Sequence, residues 1–155
     1  MSADARLAAL RVPLPPAPKP AGTYRPVIVV GDMAYVSGHG PLKPDRTMIT
    51  GRVGDDLTEQ QGREAARVVG LAVLATLKNH FGTLDRIVRT VKVLGMVNAA
   101  PDFQNHPAVI NGFSDLMAEV FGEDGIGARS AVGMGSLPGN IAVEVEAIFQ
   151  IRPAE

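Results

Sequence analysis

Two segments with apolar residues at helical spacing constrain the fold most strongly, because the other apolar runs of this chain have the length of strands. The first segment runs from about Leu57 to Phe81, and Thr58 and Gln61 near its start have the spacing of a capping box. The second runs from about Pro107 to Phe121, and a proline suits the first turn of a helix. We therefore predict that two helices cover a sheet.

The remaining apolar runs predict about six strands. Val27–Val30 and Met33–Ser37 are separated by Gly31-Asp32, which has the composition of a tight hairpin turn. The other predicted strands are Met48–Val53, Ile87–Val97, Arg129–Gly133 and Ile141–Ile151. We expect the last two strands to pair antiparallel. This order of elements predicts an α+β fold, a mixed sheet of about six strands with two helices on one face.

Prolines dominate the N-terminal segment. Six of the 12 prolines lie in the first 26 residues, and each one lacks a backbone N–H and fixes its own φ angle. Residues 12–26 therefore cannot form a helix interior or a central strand, and we predict an extended arm. We divide the chain into a proline-rich N-terminal arm at 1–23 and a single domain at 24–152.

Charge and composition argue against several classes of partner. The chain has 15 Lys and Arg against 16 Asp and Glu, so its net charge of −1 creates no field that attracts nucleic acid or an acidic membrane. It contains no cysteine, which excludes a disulfide, a zinc–thiolate site and a thiol nucleophile. We find no signal-peptide core and no uncharged apolar run of about 18 residues, so we expect a soluble cytoplasmic protein.

The predicted helices leave one face of the predicted sheet exposed. Two helices can cover only one face, yet Val27–Val30 and Ile141–Ile148 carry apolar residues at neighbouring positions, so both of their faces favour burial. An uncovered apolar face is an interaction surface. We therefore expect a homo-oligomer in which the sheets of neighbouring subunits pack together.

Common catalytic and cofactor motifs are absent or imperfect. The nucleophile elbow Gly-x-Ser-x-Gly fails at Ser37, because Tyr35 occupies the position of the first glycine. The three histidines lack metal-ligand spacing, and solvated or capping roles fit them better. The glycine-rich segment 133–139 contains a proline and precedes a strand, which does not fit a dinucleotide loop. We predict no metal and no organic cofactor.

A charged cluster near the C-terminus is more informative. The alternation within Ile141–Ile148 places Glu144 and Glu146 on one face of a strand and most apolar residues on the other. Burying an unpaired carboxylate is costly, and Arg129 is a natural partner if the last two strands pair antiparallel. Two interpretations stay open. The residues form a structural ion pair, or the arginine binds a substrate carboxylate beside a glutamate that orients water.

The same region resembles the signature of a known family. The segments that carry the resemblance are Ala128-Arg129-Ser130-Ala131-Val132, Ser136-Leu137-Pro138 and Val143-Glu144-Val145-Glu146-Ala147-Ile148. Tyr24, the segment Val36–Pro41 and Asn111 agree with them. Together these residues resemble the Rid/YjgF family of reactive-intermediate deaminases, also called the endoribonuclease L-PSP family, over about residues 24–151.

The resemblance implies a chorismate-mutase-like fold and a homotrimer. It also implies that small imine or enamine carboxylates are hydrolysed to 2-oxo acids and ammonia in clefts between the subunits. It assigns catalytic roles to Arg129 and Glu144, and substrate contacts to Tyr24, Ser37, Asn111, Arg129 and Ala131. In these roles the guanidinium holds the substrate carboxylate by two parallel hydrogen bonds. The glutamate orients or deprotonates the attacking water, or forms a hydrogen bond with the departing nitrogen.

Three features depart from the usual pattern of that family. Ala131 stands where many members have a cysteine, although the expected hydrolysis needs only the backbone of that residue. His39 replaces a usual glutamine and adds a group that can titrate near neutral pH. The connection Gly95–His106 and the N-terminal arm are longer than usual. We expect the longer segments to reshape the cleft, so a substrate other than the smallest enamines stays an open alternative.

Other functions also stay open. A non-catalytic trimer that binds a small ligand or a partner enzyme in the same clefts is the main alternative. An endoribonuclease or translation inhibitor is a remoter one, because the sequence has no basic stripe and no row of aromatic residues on a strand. Chorismate mutase activity rests on the fold alone.

Overall fold

A five-stranded mixed sheet forms the centre of the computed structural model, which describes residues 1–154. The strands are β1 (Val27–Val30), β2 (Met33–His39), β3 (Ile87–Asn98), β4 (Ala128–Met134) and β5 (Val143–Ile151). They lie in the order β1-β2-β5-β3-β4, and β3 with β4 is the one parallel pair within the described residues. The predicted α+β class and the hairpin of β1 and β2 are confirmed.

The α-helices within residues 1–154 are α1 (Ala3–Leu10), α2 (Glu59–Phe81) and α3 (His106–Phe121). The Thr58 hydroxyl accepts a hydrogen bond from the Gln61 N–H at 3.1 Å, and the Gln61 side chain accepts one from the Thr58 N–H at 2.9 Å. The predicted capping box is therefore confirmed. None of the helices in the described part of the chain combines the length and apolar character needed to cross a bilayer.

The first helix, α1, lies in the segment assigned to the arm and is not predicted by the sequence pattern. Its eight residues are too short to show a clear helical period. Asp4 accepts hydrogen bonds from the Leu84 N–H at 3.2 Å and from the Thr83 hydroxyl, which fastens α1 to the turn that follows α2. Residues 12–26 contain neither helix nor strand, as expected for an extended arm.

Close packing of α2 on α3 depends on a glycine. A Cβ atom added at Gly112 of α3 would overlap the backbone carbonyl oxygen of Arg63 on α2. Two ion pairs flank this contact, Arg63 with Asp115 at 2.7 Å and Arg67 with Glu119 at 3.0 Å. Their side chains are largely exposed, so they contribute little to stability. The absence of a side chain at position 112 is what allows the short distance between the helices.

Strand β5 separates the core from an uncovered face of the sheet. Its odd-numbered residues, from Val143 to Ile151, are buried in the core with the helices, and its even-numbered residues point to the other side. Ile28 and Tyr35 pair on that side and are 41% and 45% exposed. These exposed apolar side chains match the surface expected for a second subunit, which stays a prediction.

The predicted third strand, Met48–Val53, is wrong. Within this segment the structure contains only isolated bridges, which join Leu42 to Met48, Thr50 to Ile141, and Val53 to both Leu57 and Ala99. Gly51 has a φ angle of 125°, which interrupts an extended strand. Within residues 1–154 the sheet therefore has five strands rather than about six, and there are three α-helices rather than two.

The predicted antiparallel pair of the last two strands is also wrong. β4 pairs with β3 in parallel, with Arg129 opposite Val93, and β5 pairs with β3 antiparallel, with Ala147 opposite the same residue. β3 therefore lies between β4 and β5. β4 and β5 run in opposite directions both in the predicted pair and in the observed sheet. Local sequence patterns therefore do not show whether the two strands are neighbours. The connection 135–142 is long enough to cross the intervening strand, a distance of about 10 Å.

Replacing Gly112 with alanine should destabilise the fold, because the new methyl group would overlap the Arg63 carbonyl oxygen. We expect the free energy of unfolding, measured by urea denaturation, to fall by about 1–3 kcal/mol. Gly135→Ala is the matched control, because no atom lies within 4 Å of a Cβ atom built there. Equal stability of Gly112→Ala and the parent protein would contradict the close packing of α2 on α3.

Candidate active site

One cleft of about 670 Å³ brings together three of the predicted site residues, Tyr24, Ser37 and Glu144. It lies where the end of the arm meets the uncovered side of β2 and β5, and Met48 and Ile141 form an apolar part of its wall. Neither of these apolar residues is among the site residues predicted from the sequence. We call this space the reaction cleft.

The Glu144 carboxyl group lies directly on the backbone of β2. A Cβ atom added at Gly38 would overlap the Glu144 Oε2 atom, so only glycine permits this approach. The pairing of β2 with β5 shifts register between Val36 and His39, which indicates a β-bulge at this point. The missing side chain at Gly38 therefore leaves the space that the Glu144 carboxyl group occupies.

Burial and a like charge change the acidity of this group. Burial raises the pKa of Glu144 above its usual range, and the negative charge of Glu146 on the same face of β5 raises it further. Glu146 itself is exposed to solvent. A carboxyl group with a raised pKa binds a proton more readily, so Glu144 is suited to accept a proton from water and to donate it again.

His39 links the β-bulge of β2 to α2 beside the reaction cleft. It is only 5% exposed, and its Nδ1 atom lies 2.6 Å from the Ser37 carbonyl oxygen while its Nε2 atom lies 2.7 Å from Thr76 Oγ1 on α2. A carbonyl oxygen can only accept, so the Nδ1–H group donates to it, and Nε2 of the neutral ring accepts from the hydroxyl. Burial lowers the pKa of His39, and the hydrogen bond to Ser37 opposes this shift. The expectation of a solvated role is wrong for His39, because its ring is buried.

Tyr24 and Ser37 lie at the arm end of the reaction cleft. Tyr24 is 47% exposed, and its hydroxyl oxygen accepts a hydrogen bond from the Ala21 N–H at 3.2 Å. The Ser37 hydroxyl donates to the Arg25 carbonyl oxygen at 2.6 Å. Ser37 can therefore only accept hydrogen bonds from a ligand, whereas Tyr24 retains its hydroxyl hydrogen for donation.

Arg129 lies apart from the reaction cleft, on the edge strand β4. Its Nη1 atom donates to Asn111 Oδ1 at 2.8 Å and to Ser114 Oγ at 3.1 Å, and its Nη2 atom donates to the Pro107 carbonyl oxygen at 3.3 Å. All three acceptors are uncharged, and no carboxylate within residues 1–154 forms an ion pair with Arg129. The guanidinium group is therefore oriented by α3 but retains its charge for an anionic ligand.

Two other predicted site residues, Asn111 and Ala131, lie near Arg129. Asn111 contacts the arginine, so it positions the guanidinium group. Ser114 was missed, although it lies three residues after Asn111 and therefore on the same helix face. Ala131 is half-buried opposite Gly95 and packs against the core. No group of three or more His, Asp or Glu side chains in the described residues is placed to hold a metal ion.

The two groups of predicted site residues do not meet within one chain. Arg129 is in register with Val93 and Ala147, which belong to the helix-covered side of the sheet, whereas Glu144 lies on the uncovered side. The predicted proximity of Arg129 to Glu144 in one chain is therefore wrong, and these residues form no ion pair. Each chain therefore holds an acid in a cleft on one side of the sheet and an oriented cation on the other side.

Comparison with known proteins identifies the family of this chain. The family model described as "YjgF/chorismate_mutase-like, putative endoribonuclease" matches residues 4–148. This chain belongs to the YjgF family. The resemblance drawn from the Arg129 and Glu144 segments is confirmed, and so is the expected chorismate-mutase-like fold.

Relatives within the YjgF family have different names. "Protein TCP17" of Trypanosoma cruzi is 40% identical over 149 residues, which are 96% of this chain and 93% of that protein. A "2-iminobutanoate/2-iminopropanoate deaminase" of Dermatophagoides farinae is 32% identical over 139 residues, 89% of this chain and 93% of that protein. The structure of a "putative endoribonuclease" from Shewanella oneidensis superimposes with a TM-score of 0.93 at 30% identity and covers 97% of this chain and 100% of that one. Small-molecule deamination is thus one activity found within the YjgF family.

Replacing Glu146 with glutamine should lower the pKa of Glu144, because it removes a like charge from the same face of β5. The pKa can be measured by NMR titration of the side-chain carboxyl carbon. Glu123→Gln, at an exposed position after α3, is the matched control and should leave the titration of Glu144 unchanged. The same Glu144 pKa in Glu146→Gln as in the parent protein would contradict the coupling of the two carboxylates.

Proposed function

We propose that this member of the YjgF family hydrolyses 2-imino acids, and enamines that tautomerise to them, to 2-oxo acids and ammonia. The observation that carries the proposal is the Arg129 guanidinium group, which three uncharged oxygens orient and no carboxylate of residues 1–154 neutralises. Such a cation binds a substrate carboxylate through two parallel hydrogen bonds, which fixes the adjacent C=N carbon. The deaminase name of one relative supports the same class of reaction.

Glu144 acts first as a base and then as an acid in this proposal. It takes a proton from water as the water oxygen attacks the C=N carbon of the iminium acid, which gives a carbinolamine. It then returns the proton to the nitrogen, the C–N bond breaks, and the remaining hydroxyl group becomes the carbonyl group as its proton leaves with ammonia. One iminium acid and one water thus yield one 2-oxo acid and one ammonium ion. Positioned acid–base catalysis of this kind is worth about 10²–10⁴-fold.

The complete site forms between protomers in this proposal, because Arg129 and Glu144 lie on opposite sides of the sheet in one chain. β4 is an edge strand, so Arg129 can face a neighbouring protomer. A homotrimer has three equivalent interfaces, and each would join the Arg129 of one protomer to the Glu144 of the next. The exposed apolar side chains of Ile28 and Tyr35 belong to the face available for this contact.

The other predicted site residues have supporting roles. Tyr24 donates and Ser37 accepts hydrogen bonds at the wall of the reaction cleft, and Asn111 holds the guanidinium group in position. Ala131 contributes only its backbone, so the reaction does not require a thiol at that position. The resulting enzyme uses side chains and water alone.

Replacing Arg129 with alanine or lysine should lower kcat/KM by about 10²-fold or more, because each lost charge-assisted hydrogen bond costs about 1.5–3 kcal/mol. Lysine keeps the charge but lacks the planar pair of donors. The assay measures ammonia release while an amino-acid oxidase generates the imine. Arg89→Ala, an exposed arginine on the neighbouring strand, is the matched control and should retain activity. Parent-like rates in Arg129→Ala would overturn the role of this arginine, and binding of 2-oxo acids without turnover would instead support the non-catalytic alternative.

Mixing two inactive variants should restore activity if each site takes Arg129 and Glu144 from different protomers. Arg129→Ala and Glu144→Gln, refolded together in equal amounts, should recover about one quarter of the parent activity, since random assembly pairs the two intact residues at that frequency. Each variant refolded alone provides the control. A mixture that stays as inactive as its components would contradict a site shared between protomers.

A further inference from the structure

We propose that the N-terminal arm builds a second pocket that binds the side chain of the substrate and selects 2-imino acids of leucine or methionine size. This arm pocket has a volume of about 110 Å³. Its walls include Pro18, Pro20 and Pro26 of the arm, with Leu42 and Met48 on the other side. The inference rests on the proposed function and assigns its substrate class.

The arm pocket is continuous with the reaction cleft. The residues that line both are Ala21, Tyr24, Gly38, Gly40 and Met48. The Glu144 carboxyl group lies against the backbone of Gly38, at this shared wall. A substrate whose C=N carbon lies beside Glu144 can therefore extend its side chain directly into the arm pocket.

Most polar groups around the arm pocket already have hydrogen-bond partners within the chain or in solvent. Both ring nitrogens of His39 are hydrogen-bonded within the chain. The Tyr24 hydroxyl oxygen already accepts from the Ala21 N–H. Lys19 is exposed, so its ammonium group can stay in water. A polar substrate side chain would lose its water here and gain in return the hydroxyl hydrogen of Tyr24, whereas an apolar one gains free energy from burial.

The volume of the arm pocket sets the size of the side chain. A water molecule occupies about 30 Å³ of the liquid, so 110 Å³ holds about four non-hydrogen atoms. The isobutyl group of the leucine imine and the methylthioethyl group of the methionine imine both have this size. A methyl group leaves most of the space empty, and a benzyl group is too large for it.

The proline wall of the arm pocket is in place before a ligand arrives. Each proline has a fixed φ angle, and the Ser37 N–H donates to the Pro26 carbonyl oxygen at 2.9 Å, which ties the arm to β2. The opposite wall, which includes the Met48 side chain, is more flexible. Met48 is 40% exposed, and a Cβ atom built at Gly40 would lie 3.3 Å from its Sδ atom and 3.1 Å from Ile141 Cδ1. A flexible thioether at the junction can adapt to a branched or an unbranched chain.

The test compares imines that differ only in their side chains. L-amino-acid oxidase generates the imines of leucine, methionine, alanine and phenylalanine in situ, and ammonia release above the spontaneous rate gives kcat/KM for each. We expect the leucine and methionine imines to exceed the alanine and phenylalanine imines by about tenfold or more in kcat/KM, the usual discrimination of an apolar pocket.

A filled arm pocket should remove this preference. Ala21→Phe places a ring at the shared wall, and we expect it to lower the leucine-to-alanine ratio of kcat/KM by about tenfold. Thr23→Phe adds the same ring to an exposed arm residue that lines neither the arm pocket nor the reaction cleft, and it should leave the ratio unchanged.

The possible results separate this inference from the proposed function. A leucine-to-alanine ratio near one in the parent protein, or a ratio that Ala21→Phe does not change, overturns the arm pocket and leaves imine hydrolysis standing. Absence of ammonia release from every imine overturns the proposed function and this inference with it.

Discussion

The alternation of side chains along β5 determines both the core and the position of two carboxyl groups. Its odd-numbered residues pack with the helices, and its even-numbered residues place Glu144 and Glu146 on the uncovered side. A shift of one residue in the register would move the apolar set out of the core and both carboxylates into it. The packing that attaches the sheet to its helices therefore also determines where the acid lies.

The insertion of β3 between β4 and β5 has an electrostatic consequence. It keeps the Arg129 guanidinium group away from Glu144 within one chain. A cation beside Glu144 would favour its ionised form and lower its pKa, whereas burial and Glu146 raise it. Separation also leaves the arginine with uncharged partners only, on α3. The order of strands thus separates Glu144, a carboxyl group with a raised pKa, from the Arg129 guanidinium group within one protomer.

Sequence patterns predicted the long elements well, because α2 and β5 each repeat their apolar period several times and Thr58 marks the start of α2. They failed for α1, which is too short to repeat a period, and for the loop around Met48, where two of the four bridges, Thr50 to Ile141 and Val53 to Ala99, join residues that are distant in sequence. Arg129 and Glu144 could be selected from the sequence because charges stand out in apolar strands. Their relative position depends on non-local strand order, which a local pattern does not contain.

The arm is held at both of its ends. Asp4 of α1 bonds to the turn after α2, and the Ser37 hydroxyl bonds to the Arg25 carbonyl oxygen. A segment fixed in this way loses its conformational entropy once, when the chain folds, rather than at each encounter with a small molecule. Removing α1 would therefore keep every lining residue of the proposed arm pocket yet release one end of the arm, so part of the cost of ordering that segment would fall on each incoming molecule.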